Sequence, residues 1–226
     1  MAEPRPAALP PAERTIGQLV AESIRFYGEH FRMALLLGVA PAAIAAVFAN
    51  VSRRTSIFLA PTFSAALLSA TFVGACMLVL DARPTRRRLV LAWIAGWLVF
   101  APVPFLVLAF IVPGLAWLAA LGLVVPVLAM EPVSLREALA RAWRLARGDY
   151  LHAFGSLATL GIVVFLTQAV LAFILRGFGG AAVSTAFFLA SVVISPLLFI
   201  GAALLYVDQS ARVQDSIGDG SPTARF

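Results

Sequence analysis

The chain has 226 residues, 62% hydrophobic and only 12% charged, with a formal net charge of +6. A soluble domain carries roughly 25% charged residues, so this composition excludes an ordinary soluble globule and indicates an integral membrane protein. The isoelectric point near 10.9 does not indicate nucleic acid, because the basic residues gather at the ends of apolar blocks and not along one soluble face.

The first segment, 1–14, is rich in Pro and Ala and lacks the apolar core of a signal peptide. It reads as a disordered cytoplasmic tail. "TIGQLVAESIRFYGEHF" follows, from Thr15 to Phe31. Thr15 and Gln18 have the spacing of a capping box, and Ile16, Leu19, Val20, Ser23, Ile24, Phe26 and Tyr27 fall on one face at helical spacing. The reading is an amphipathic helix over 15–30 that lies in the membrane interface.

A spanning helix needs about 20 mostly apolar residues. The first span is 31–50 and the second 57–80. Residues 89–130 carry no charge at all, too long a run for one span and suited to two, 89–111 and 114–130. Val112, Pro113 and Gly114 supply the expected turn between them. The last two spans are 151–175 and 181–207, and 208–226 reads as a polar cytoplasmic tail. The fold class is therefore all-α, a polytopic bundle of six transmembrane helices with two cytoplasmic amphipathic helices.

All 17 basic residues are arginine. Six spans place Arg5, Arg14, Arg25, Arg32, Arg83, Arg86, Arg87, Arg88, Arg136, Arg141, Arg144, Arg147, Arg212 and Arg225 on one side. Only Arg53, Arg54 and Arg176 fall on the other. The positive-inside rule then puts both termini in the cytoplasm of a bacterial inner membrane. Trp93, Trp97 and Trp117 lie near span ends or in their outer thirds, a loose fit to an interfacial aromatic belt.

Between the fourth and fifth spans stands "EPVSLREALARAWRLARGDY", from Glu131 to Tyr150. Ser134 and Glu137 form a second capping box. Leu135, Ala138, Leu139, Ala142, Trp143, Leu145 and Ala146 fall within about 160° of arc, opposite Arg136, Glu137, Arg141, Arg144 and Arg147. This predicts an interfacial helix over 134–147 whose arginines face lipid phosphates. Each apolar position stands 119 residues after its counterpart in the first amphipathic helix, and Arg144 matches Arg25. Each amphipathic helix precedes a pair of spans, and each pair ends in an acid followed by arginine: "LDAR" at Leu80 and "VDQSAR" at Val207. The pattern reads as a parallel internal duplication joined by the third and fourth spans.

Three stretches carry a family likeness: "TIGQLVAESIRFYGEHFRMALLL", "VVPVLAMEPVSLREALARAWRLARGDY" and "LLYVDQSARVQD". The layout from about Thr15 to Asp215 resembles the membrane anchor domain of bacterial glycerophosphoryl diester phosphodiesterases and related stand-alone membrane proteins. Gln209 and Ser210 depart from the closing segment of that family, where a leucine and an arginine are expected. The resemblance implies an anchor without an enzyme, because the chemistry of those proteins belongs to a separate soluble barrel.

No catalytic, cofactor or metal-binding constellation stands out. The lone Cys76 in an apolar run reads as a packing residue. His30 and His152 fall at headgroup boundaries and read as solvated. No span carries an ionisable group at its centre; Gln168, Thr167 and several serines are the most polar interior points, suited to hydrogen bonds between helices. Pro41, Pro102, Pro104, Pro126 and Pro196 either break helices around a cavity or are simply tolerated, as proline is in membrane helices. Thr62, Ala66, Ala70 and Gly74 form a small-residue ridge for an internal helix contact or a dimer. Asp81, Arg83, Arg88, Glu131, Asp208 and Arg212 fall at the cytoplasmic edge, where salt bridges are expected to fix the helix ends. The expected function is a non-enzymatic scaffold or accessory subunit, with anionic lipid headgroups on Arg25, Arg136, Arg141, Arg144 and Arg147. A protein partner or second copy remains open. The alternative is a transporter or lipid-handling permease component with a cavity between the repeats.

Overall fold

The computed structural model describes residues 10–81, 83–175 and 180–218. Arg5, Arg176, Arg225 and the outer parts of both expected tails lie outside the described residues. The protein is all-α. Its helices are α1 (Ile16–Glu29), α2 (Phe31–Asn50), α3 (Arg53–Leu59), α4 (Ala65–Val79), α5 (Arg86–Phe100), α6 (Val103–Ala109), α7 (Ile111–Leu121), α8 (Val124–Met130), α9 (Leu135–Gly148), α10 (Tyr150–Leu175), α11 (Gly180–Ile194) and α12 (Pro196–Gly218). Among the described residues they combine into six stretches long and apolar enough to cross a membrane: Phe31–Asn50, Arg53–Val79, Arg86–Val107, Ile111–Met130, Tyr150–Leu175 and Val183–Gln214. This is a multi-pass integral membrane protein.

Proline placement explains most of the breaks. A proline lacks the N–H that an interior helical residue donates, but a first-turn N–H has no partner to lose. Pro104 is the second residue of α6, Pro113 the third of α7, Pro126 the third of α8 and Pro196 the first of α12. The turn expected at 112–114 is thus displaced. The chain reverses at Phe110, in extended geometry (φ −160°, ψ 143°), and Pro113–Gly114 falls inside the first turn of α7. Gly114 then packs against Val107 of α6. Pro41 leaves α2 unbroken. Pro61 sits in a π-helical segment, Ala60–Ser64, that joins α3 to α4.

The main core gathers Phe72, Val73 and Cys76 of α4, Ala92 and Ala95 of α5, Val124, Val127 and Leu128 of α8, Ala138 and Ala142 of α9, and Phe199, Ala203 and Tyr206 of α12. Helix α12 is the hub, touching α1, α2, α4, α9, α10 and α11. Small residues allow the closest approaches: a Cβ on Gly38 of α2 would stand 1.9 Å from the Val192 carbonyl oxygen of α11. The expected ridge on the second span is not the main packing face. Thr62 and Ala70 are exposed, while Ala65, Ser69, Phe72 and Cys76 of the same stretch are buried. Burial pushes the Cys76 side chain into the role of a packing residue, free of any disulfide.

The three tryptophans of the spans staple helical segments together. Trp93 Nε1 donates to Ala66 O (2.9 Å), Trp97 Nε1 to Pro61 O (3.2 Å) and Trp117 Nε1 to Val99 O (2.9 Å). Each joins two helical segments, because in an apolar medium an indole N–H must find an acceptor inside the protein.

Helix α12 also revises both tails. It continues through Gly218, and Asp208 and Gln209 are fully buried instead of opening a solvated tail. The roof over them comes from the other terminus: Pro11–Glu13 forms a single 3₁₀ turn against α12, and Arg14 reaches Asp208.

Candidate functional site

Both amphipathic helices form, each with its capping box closed in both directions. Thr15 accepts from the Gln18 amide while the Gln18 side chain accepts from the Thr15 amide; Ser134 and Glu137 repeat the arrangement. The burial patterns agree at three of the paired positions and differ at the others, where Phe26 and Tyr27 are half-buried but Leu145 and Ala146 are buried. Leu19 and Ser23 are buried as are Ala138 and Ala142, whereas Ile24 and Trp143 are 53% and 48% exposed. The docking differs: α1 packs on α10 and α12, but α9 packs on α7, α8 and α12. The two capped helices therefore occupy non-equivalent places in the bundle.

The apolar arc of α9 divides in two. Ala138, Ala142, Leu145 and Ala146 are buried against the bundle, while Leu135, Leu139 and Trp143 are exposed along the helix edge. The helix rests on the corner of the bundle, so only part of its apolar face meets protein. This division also sorts the arginines. Arg141 turns inward and donates from Nε to Glu131 Oε1 at 2.5 Å, and the Tyr206 hydroxyl donates to the same oxygen at 3.0 Å. Arg141, still 35% exposed, thereby ties α9 through Glu131 to Tyr206 of α12. Arg136 and Arg144 are exposed and form no ion pair among the described residues. The Arg147 guanidinium lies 5.7 Å from the centre of the exposed Trp143 ring. Arg25 pairs within its own helix, with Glu22 at 2.6 Å and Glu29 at 3.8 Å.

The expected edge cluster resolves into separate parts. Glu131 belongs to the Arg141–Tyr206 group. Asp208 and Arg212 belong to a second group that the sequence reading did not assemble. Arg14 Nη1 meets Asp208 Oδ1 at 3.1 Å, Arg212 Nη1 meets Asp149 Oδ2 at 2.5 Å, and Arg212 Nη2 donates to the Arg14 carbonyl. Gln209 Nε2 donates to the Asp149 carbonyl at 3.1 Å. His152 stands inside this group, 7% exposed, with its ring nitrogens 3.4 and 3.5 Å from Arg212 Nη2 and Nε2 4.0 Å from Asp208 Oδ2. It is a buried member of an ionic cluster and not a solvated headgroup residue. His30 is exposed and stacked on Phe26, ring centres 4.3 Å apart. Asp81, Arg83 and Arg88 join neither group and form no ion pair among the described residues. Asp81 instead closes α4 in left-handed geometry, φ 44°, which Asp tolerates better than most residues.

The polar groups inside the spans find partners within the protein. Gln168 Nε2 lies 3.5 Å from Ser191 Oγ, Thr167 donates to the Val163 carbonyl and Ser195 to the Ser191 carbonyl. One apolar cavity lies elsewhere. It has a volume of about 100 Å³ and lies in the crook of α7 and α8, where the break at Gly122 and Leu123 separates them, with α10 and α12 as its far walls.

No family model, curated protein or solved structure matches the chain. The fold and its sites thus define a class, an all-α multi-pass integral membrane protein, and the functional reading rests on its own residues.

Proposed function

We propose that the protein is a non-enzymatic scaffold or accessory subunit of the bacterial cytoplasmic membrane, with both termini in the cytoplasm, whose arginine-rich end holds anionic lipid headgroups. One observation carries this reading: Arg136, Arg144 and Arg147 are exposed beside the exposed Leu135, Leu139 and Trp143. A helix edge of this kind places apolar side chains at the acyl boundary and guanidinium groups at the phosphates. The asymmetry of arginine between the two ends supports the orientation. The likeness to a phosphodiesterase anchor domain fits a membrane unit that works without chemistry of its own. The exposed arginines also suit an acidic partner protein or a second copy of the chain.

Each basic residue at an anionic surface contributes about 1 kcal/mol, so three contribute about 3 kcal/mol together. Replacing Arg136, Arg144 and Arg147 with glutamine is expected to abolish the preference for phosphatidylglycerol over phosphatidylcholine in the lipid retained on purification. The preference of the native chain should also weaken as salt rises. An unchanged lipid preference in the triple variant refutes the headgroup role.

The apolar cavity fits the lipid-handling form of the alternative. Its lining is hydrocarbon throughout, which suits an acyl chain.

A further inference from the structure

The cavity and the free arginines are joined by one residue. Tyr150 stands three residues after Arg147, across the helix break at Asp149, opens α10, and its hydroxyl donates to the Ala116 carbonyl of α7 at 3.2 Å. On the same two helices, Leu118 of α7 and Leu157 and Gly161 of α10 line the cavity, with Phe72, Phe100 and Leu198 completing the wall. The cavity therefore lies beneath the Tyr150 bridge on the arginine-rich side. At about 1.5 Å per residue, Gly161 stands roughly 16 Å below Tyr150, close to the depth of about 15 Å that one leaflet of a 30 Å hydrocarbon core provides. Gly161 adjoins the exposed Ile162 and Phe165, and a Cβ added to it would meet nothing within 4 Å. The cavity is thus continuous with the lipid-facing surface of α10. A dry cavity of about 150 Å³ admits benzene, so about 100 Å³ suits the terminal carbons of a chain.

We propose that this cavity holds the end of one acyl chain of an anionic phospholipid whose headgroup lies at Arg144 and Arg147. The inference rests on the headgroup reading above and adds a specific seat for the tail. Charge selects the head, the length of one leaflet brings the tail to the cavity, and an all-apolar wall excludes water in favour of methylene groups.

The test uses the full chain in phosphatidylcholine vesicles doped with phosphatidylglycerol carrying a diazirine at the end of one acyl chain. A matching phosphatidylcholine probe serves as the second arm. After photolysis, adducts are mapped by mass spectrometry. Labelling of Leu118, Leu157 and Leu198 is expected to exceed that of Ile162 and Phe165 several-fold with the phosphatidylglycerol probe. Gly161→Phe, and independently Leu198→Trp, should remove the excess by filling the space. Equal labelling of cavity and outer-face residues, or an excess that survives both substitutions, overturns the acyl-chain assignment. If cavity labelling fails while the arginine-dependent lipid preference persists, the tail seat alone is wrong. If cavity labelling is equal for both probes while the arginine-dependent lipid preference persists, the link between an anionic head and this tail seat is wrong; loss of that preference itself sinks the headgroup reading.

Discussion

Asp208 has no exposed surface, and Arg14, which pairs with it, arrives from 194 positions away. A buried carboxylate of this kind depends on its partner, because removing one member leaves an uncompensated charge. Arg14→Ala is expected to destabilise the protein by about 3 kcal/mol. Adding Asp208→Asn should recover part of that loss, since the orphaned charge disappears with it. Equilibrium unfolding in mild detergent measures both variants. Additive losses would show that the pair is not coupled. Around this pair, Asp208 Oδ2, Gln209 Oε1 and the Ser156 hydroxyl are buried without a hydrogen-bond partner among the described residues. The cluster gains its hold from ion pairing and not from complete hydrogen bonding.

At the scale of the element, α9 is set by its ends. The Ser134 amide and hydroxyl both donate to the Glu137 carboxylate, and these bonds hold that carboxyl below its ordinary value of 4.5. A carboxyl lowered on folding contributes stability above its unfolded value and loses it as pH falls through the lower folded value. Exchange of the first-turn amides of α9 should therefore accelerate as pH is lowered from about 4.5, beyond the intrinsic pH dependence of exchange. Glu137→Gln should make that protection independent of pH. Persistence of the acid-dependent fraying in Glu137→Gln would assign it to another group. Helix α1 has Gln18 at the equivalent position, so its first turn should show no such dependence and supplies an internal control.

For the whole molecule, the prediction concerns sidedness. Six crossings put Arg53, at the start of α3, and Ala140, on the exposed face of α9, on opposite sides of the membrane. Single cysteines introduced at these positions should react with an impermeant thiol reagent from opposite faces of sealed vesicles. The native Cys76 is completely buried and should stay silent. Labelling of both positions from the same face would refute the topology and the headgroup side with it.

The sequence by itself determined the class, the spans and the two capped helices. These are written in short-range signals: apolar runs of spanning length, a 3.6-residue period, and Thr15–Gln18 and Ser134–Glu137 at cap spacing. Each signal is read within a few turns of the chain, so no tertiary knowledge is needed. It misplaced the turn at Pro113–Gly114 because proline breaks an interior helix yet fits a first turn, and only the packing of α6 on α7 decides which applies. It could not tell Arg141, which is tied to Glu131, from Arg136 and Arg144, because all three share one polar face of a wheel and only the seat of α9 on the bundle distinguishes them. The Arg14–Asp208 pair, the burial of His152 and the cavity at the α7–α8 break all arise where segments distant in sequence meet. Hydropathy and periodicity carry no information about which distant faces will touch, and that choice belongs to the tertiary structure.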